Sequence, residues 1–141
     1  MSTPAPFGRM LTAMVTPFKK DGSIDWDGVE KIADHLVKTG HDGIVVNGTT
    51  GEAPTTKSSE KEEIIKVVKR VVGANIKVVS GAGDNETDYS INQAKRSEAA
   101  GADGILVVTP YYNKPPQAGI KAHFLAMANA TGLPMMLYDI P

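Results

Sequence analysis

Five short apolar runs punctuate the chain at roughly thirty-residue intervals, the length of one strand-plus-helix unit. They are Leu11 to Val15, Gly43 to Val46, Lys77 to Ser80, Gly104 to Val108 and Met135 to Tyr138. Four of them carry β-branched valine or isoleucine and read as strands; Met135 to Tyr138 is the weakest by composition.

Between the runs the apolar period changes to that of a helix. Trp26, Val29, Ile32, Ala33, Leu36 and Val37 form one stripe that ends at Gly40, a suitable C′ glycine. Ser59 with Glu62 has capping-box spacing ahead of Ile64, Ile65, Val68, Val71 and Val72, and Gly73 closes the segment. A third helix is predicted from about Thr87 to Ala100, with Ile91, Ala94 and Ala99 inward and Gly101 at its end. A fourth follows Pro115 and Pro116, with Ile120, Phe124, Met127 and Ala128 as its stripe and Gly132 closing it. Met10, Met14, Met127, Met135 and Met136 read as core filler.

Strict alternation of strand and helix implies an α/β fold with a parallel sheet and right-handed crossovers, either doubly wound or closed into a barrel. Every strand end carries polar or aromatic residues: Thr16-Pro17-Phe18, Asn47-Gly48-Thr49-Thr50, Gly81-Ala82-Gly83-Asp84, Thr109-Pro110-Tyr111-Tyr112 and Tyr138-Asp139. A ring of such ends favours the (β/α)8 TIM barrel, whose site is built from strand C-termini. Such a barrel needs about 250 residues, whereas this chain has 141. The expectation is the first four βα units and the fifth strand, so that residues 1–141 form the N-terminal half of a single barrel domain with no separate second domain. The remaining half is expected from sequence beyond Pro141 or from another chain.

The most informative segment is Gly48-Thr49-Thr50-Gly51-Glu52, directly after an apolar strand. Two glycines allow a sharp turn close to a ligand, and two threonines offer hydroxyls that both donate and accept, a combination suited to an anionic, oxygen-rich substrate. Read alone, the pair equally fits a polar strand end capping its own backbone. Tyr111 and Tyr112, read alone, fit a pair of rings covering the rim of the sheet.

Composition narrows the class. The chain is 41% hydrophobic and 22% charged, ordinary for a globular domain, and its formal net charge of -1 leaves no electrostatic footprint for nucleic acid or an anionic membrane. It has no cysteine, which excludes disulfides, thiolate nucleophiles and cysteine-based metal sites. No apolar run is long enough to span a bilayer, and the segment Met1 to Gly8 lacks the basic and apolar regions of a signal peptide, so a cytoplasmic protein is expected.

Taken together, Thr12-Ala13-Met14-Val15-Thr16-Pro17-Phe18, Gly48-Thr49-Thr50-Gly51-Glu52, Thr109-Pro110-Tyr111-Tyr112-Asn113 and Leu137-Tyr138-Asp139-Ile140-Pro141 occur in the order and spacing of one family. From about Arg9 to Pro141 the chain resembles the first half of the dihydrodipicolinate synthases. The resemblance implies a class I, Schiff-base aldolase that condenses pyruvate with L-aspartate 4-semialdehyde on the way to diaminopimelate and lysine. It further implies a tetramer of tight dimers and no metal or organic cofactor, the imine being formed with a lysine of the protein. By the same resemblance, Thr49 links two tyrosines in a proton relay and Tyr138 is the proton donor and acceptor near the imine. Tyr112 reaches across the tight-dimer interface, and Thr50 holds the pyruvate carboxylate. A phenol of ordinary pKa near 10 needs a hydrogen-bonded chain to move protons at neutral pH, so the relay is chemically sensible.

An imine-forming lysine must be desolvated and aimed inward near a strand's C-terminal end. Lys77 begins its strand, Lys19, Lys20, Lys57 and Lys114 fall in loops, and the others lie on predicted helices. In the family this lysine comes from the sixth strand, and the arginine that follows the Tyr-x-x-Pro segment also lies beyond Pro141. The complete protein is therefore expected to be a synthase and this polypeptide alone to be inactive.

The chain departs from the family pattern at several positions. Asp139 stands where many relatives carry asparagine. Asn85 and Tyr111 match an allosteric site of lysine-regulated relatives, but Ser58, Lys61 and Tyr89 replace histidines and a glutamate there. Loss of that carboxylate and gain of a like charge argue against lysine inhibition. The alternatives are another aldolase of the superfamily, an N-acetylneuraminate lyase or a 2-keto-3-deoxy sugar acid aldolase, and, from a different class, a non-catalytic half-barrel assembly module. Adjacent threonines argue against the lyase, where serine usually precedes threonine.

Overall fold

A computed structural model describes residues 5–140; Met1 to Pro4 and Pro141, the last residue of the Leu137-to-Pro141 motif, lie outside the described residues. The elements alternate as the sequence pattern requires: β1 (Leu11–Ala13), α1 (Trp26–Lys38), β2 (Gly43–Val46), α2 (Ser58–Val72), β3 (Lys77–Gly81), α3 (Thr87–Ala99), β4 (Gly104–Val108), α4 (Gln117–Ala130) and β5 (Met135–Tyr138). All neighbouring strands pair in parallel, in the order β1-β2-β3-β4-β5.

That sequential order decides between the two architectures the periodicity left open. A doubly wound sheet reverses direction at a switch point and covers both faces with helices. Here one face alone receives them. Ile44 and Val46 of β2 and Val78 of β3 pack with Val29, Ala33 and Leu36 of α1 and Ile64, Ile65 and Val68 of α2. Ile105 and Val107 of β4 pack with Ala94 of α3 and Met127 of α4. Each fully buried Val, Ile or Met side chain contributes about 1.5–3 kcal/mol, and this layer is the main core.

The opposite face is lined by Val45, Val79, Leu106 and Met136, with Phe7 buried against them. Phe7 occupies the N-terminal end of that face: a Cβ on Gly104, the first residue of β4, would meet its ring at 2.3 Å. The N-terminal end is thus plugged, and the C-terminal end is left for a cavity.

Several elements differ locally from the sequence reading. β1 stops at Ala13, and Val15 is exposed. α2 begins at Ser58, and the carboxylate that reaches back over its first turn is Glu60, accepting from the Lys57 amide at 2.8 Å. Glu62 pairs instead with Arg96 of α3. On α3, Ala99 is exposed, while Ser90, Gln93 and Ser97 are buried with Ala94. Gln93 and Ser97 are matched across the interface, Ser97 donating to the Ser80 hydroxyl at 3.0 Å and Gln93 to the Ser58 hydroxyl at 2.6 Å, and Ser90 donates to the Glu86 carbonyl at 2.8 Å, which is why burial does not penalise them. On α4, Ala128 is exposed and His123 is buried. Met14 and Met127 are core residues, but Met10 is exposed.

Candidate functional site

At the C-terminal ends of the strands lies a cavity of about 300 Å³. Its wall includes Asn47, Gly48 and Thr49 after β2, Gly81 to Asp84 at the end of β3, Leu106 and Val108 of β4, Tyr111, and Tyr138 and Ile140 at the end of β5. Thr49 and Tyr138, far apart in the sequence, therefore line one volume. Tyr138 is 41% exposed and ends β5, the last strand of the sheet.

The Gly48-to-Gly51 turn is held by its backbone rather than by its hydroxyls. It is bounded by two residues in left-handed conformation, Asn47 (φ 58°) and Glu52 (φ 56°). The Gly51 amide donates to the Gly48 carbonyl at 3.0 Å, the Glu52 amide to the Thr49 carbonyl at 3.0 Å and the Ala53 amide to the Gly48 carbonyl at 3.2 Å. The buried Thr16 hydroxyl, from the loop after β1, donates to the Gly51 carbonyl at 2.7 Å and pins the far side. The side chains of Thr49 and Thr50 remain exposed, and Thr50 is not part of the cavity wall.

Tyr111 and Tyr112 part company. Tyr111 lines the cavity and donates to the Asp84 carboxylate at 3.1 Å; burial and the Asp84 charge hold its phenol above the usual value. Tyr112 is 94% exposed, outside the cavity wall, and sits at φ 68°, an outlying conformation for a bulky residue. Lys114 nearby is also at positive φ (42°), so two strained residues shape this loop. Asn85, half-buried in the loop before α3, is not part of the cavity wall.

Residues to which the sequence reading gave no role in this site also belong here. Lys61, on α2, borders the cavity with its ammonium 5.7 Å from the Tyr89 ring centre. Asp84 anchors Tyr111, and its backbone amide is bonded to Ser90 at 2.9 Å. Asn47, 3% exposed, sits under the turn with its Oδ1 unpartnered. Its signal was an asparagine directly before glycine, the residue type after Gly that most readily takes left-handed φ. His123 is buried beside Thr87 with an unpartnered Nε2; polar burial of this kind has no period and cannot be read from a stripe. Among the described residues no three His, Asp or Glu side chains cluster in metal-binding geometry, and no helix is long and apolar enough to cross a membrane.

Comparison with known proteins gives this arrangement its context. The dihydrodipicolinate synthetase family model matches residues 6–141. A 4-hydroxy-tetrahydrodipicolinate synthase of Acidothermus cellulolyticus is 59% identical over 138 residues, covering 98% of this chain and 45% of that protein. The crystal structure of the Cyanidioschyzon merolae synthase with lysine bound superposes with a TM-score of 0.93 at 52% identity, covering 96% of this chain and 47% of that one. The Acinetobacter baumannii synthase complexed with pyruvate gives 0.91 at 42% identity, covering 94% and 45%. The chain thus spans a little under half the length of these relatives, and its five parallel strands are the N-terminal part of their TIM barrel. It belongs to the dihydrodipicolinate synthetase family.

Proposed function

We propose that this chain is the N-terminal half of a single-domain synthase that condenses pyruvate with L-aspartate 4-semialdehyde through a lysine imine. The observation that carries the reading is that Thr49 and Tyr138 line one cavity at the catalytic end of the strands. The relatives' names and the pyruvate bound to one of them support the choice of substrates.

In this reading the amine of a lysine outside residues 1–141 attacks the ketone carbon of pyruvate and water leaves. The protonated imine then accepts the electron pair released when a methyl proton is removed, so that the methyl carbon attacks the aldehyde. Tyr138, Thr49 and the Tyr112 of a neighbouring subunit pass protons, and Thr50 holds the carboxylate. The exposure of Tyr112 and its strained backbone support a role away from its own cavity. In this proposal the relay among Thr49 and the two tyrosines closes in the assembled, substrate-bound protein. The complete protein is a cytoplasmic homotetramer in this proposal, and the chain alone is inactive.

To test the proposal, the chain is joined to the part of the A. cellulolyticus relative beyond the matched segment, and condensation is assayed. The completed barrel turns over, and Thr49→Val and Tyr138→Phe each lower kcat by about 10²-fold or more, the usual scale of a proton-transfer role. Full activity in both variants refutes the roles assigned to them.

A second reading, a non-catalytic half-barrel assembly module, is favoured by exposed Leu125, Leu137 and Ile140 on the β5 side. A completed barrel without condensation activity supports it.

A further inference from the structure

Asn47 adds burial and side-chain bracing to the left-handed φ that a turn-forming asparagine supplies. It is 3% exposed, it holds φ at 58°, and its Nδ2 donates to the Lys61 carbonyl of α2 at 3.1 Å and to the Ser80 hydroxyl of β3 at 3.2 Å. Ser80 in turn accepts from Ser97 of α3 at 3.0 Å. One side chain therefore ties the end of β2 to a helix, to the neighbouring strand and, through Ser80, to a second helix. The Lys61 carbonyl fixes which end of the amide carries nitrogen, since a backbone carbonyl can only accept. That assignment leaves Oδ1 buried without a protein partner, an unfavourable arrangement.

The backbone is equally constrained. The Asn47 carbonyl lies so close to Gly81 that a Cβ there would stand 2.2 Å from it. Strain and unmet hydrogen bonding of this kind concentrate where a fold must hold a functional segment in one orientation. The segment that follows is Gly48-Thr49-Thr50, whose hydroxyls have no partners of their own among the described hydrogen bonds and cannot fix their own direction.

We infer that Asn47 is a positioning residue: its cross-brace sets the direction in which the chain leaves β2, and so where Thr49 stands relative to Tyr138 in the cavity. The inference rests on the proposed function for its catalytic consequence, but its structural half stands apart from activity.

Asn47→Gly separates the two contributions, because glycine accepts the same left-handed φ but has no side chain to brace with. Ser80→Ala removes one arm and leaves the other, which keeps the test decisive if Asn47→Gly folds poorly. In the completed barrel, amide hydrogen exchange at Gly51, Glu52 and Ala53, the donors of the turn, is expected to quicken about 10-fold in Asn47→Gly, while the α4 amides keep their rates. kcat is expected to fall about 10-fold, with a smaller change in KM for pyruvate. Unchanged exchange in the turn, or equal quickening throughout the molecule, overturns the brace. Local quickening with wild-type kcat and KM overturns the catalytic consequence. An inactive parent barrel refutes the proposed function, and the exchange comparison still decides the brace.

Discussion

The Tyr111 hydroxyl donates to the Asp84 carboxylate at 3.1 Å, joining the loop after β4 to the end of β3 at the cavity wall. Burial first and the Asp84 charge second raise the phenol's pKa, so Tyr111 stays a neutral donor throughout the physiological range. Replacing the charge removes one of the two causes. Asp84→Asn is expected to move the Tyr111 titration down toward its ordinary value of 10.0 without reaching it, since burial remains. Absorbance titration of phenolate formation, with Tyr111→Phe as the subtraction, measures the shift; an unmoved curve contradicts the electrostatic coupling.

His123 gives the molecule a defined acid sensitivity. Its ring is 4% exposed, with Nδ1 3.0 Å from the Thr87 hydroxyl, the Phe124 ring against its edge and Asp84 as the charged group acting on it. Burial pushes its pKa below the ordinary 6.5, with Asp84 pulling the other way. The folded state then binds fewer protons than the unfolded one between its lowered value and 6.5, so stability rises with pH across that window. His123→Gln is expected to flatten that slope: urea midpoints of the two proteins diverge as pH falls below 6.5 and run parallel above it. Parallel curves at all pH values contradict a buried neutral imidazole.

Gly81 is required by space rather than by φ. An added Cβ would lie 2.2 Å from the Asn47 carbonyl oxygen and 2.8 Å from its carbon, and backbone cannot swing aside as a side-chain tip can. Gly81→Ala is expected to cost about 1–3 kcal/mol or more, the range of overpacking in a filled interior. Denaturant unfolding reads this directly; a wild-type midpoint contradicts the close approach of β2 and β3.

What the sequence revealed and what it hid follow from how each interaction is encoded. β2 and β4 were legible to the residue because burial on both faces demands continuous Gly-Ile-Val-Val and Gly-Ile-Leu-Val-Val runs. α1 was legible because Val29, Ala33 and Leu36 repeat at helical spacing. The inward face of α3 was not, because Ser90, Gln93 and Ser97 are buried through hydrogen bonds that no hydrophobic period records. The start of α2 was misplaced because Ser59 and Glu62 imitate a capping pair, while the actual reach-back comes from Glu60 to Lys57. At the site, Thr49, Tyr111 and Tyr138 were marked by their places after apolar strands. Asn47 was named only as part of a strand end and Lys61 only as a departure from an allosteric pattern, because the buried hydrogen bonds and helix placement that bring them to the cavity leave no sequence period.

The central claim is that this half supplies proton-handling hydroxyls while the imine-forming amine comes from elsewhere. Lys61 is the internal rival, since it borders the cavity. Incubation with pyruvate and borohydride, followed by intact-mass and peptide mapping, separates the two sources. The expected result is no reduced adduct on the chain alone, and one adduct on the completed barrel at a lysine outside residues 1–141. A stoichiometric adduct on Lys61, or on any other lysine of this chain, contradicts the claim.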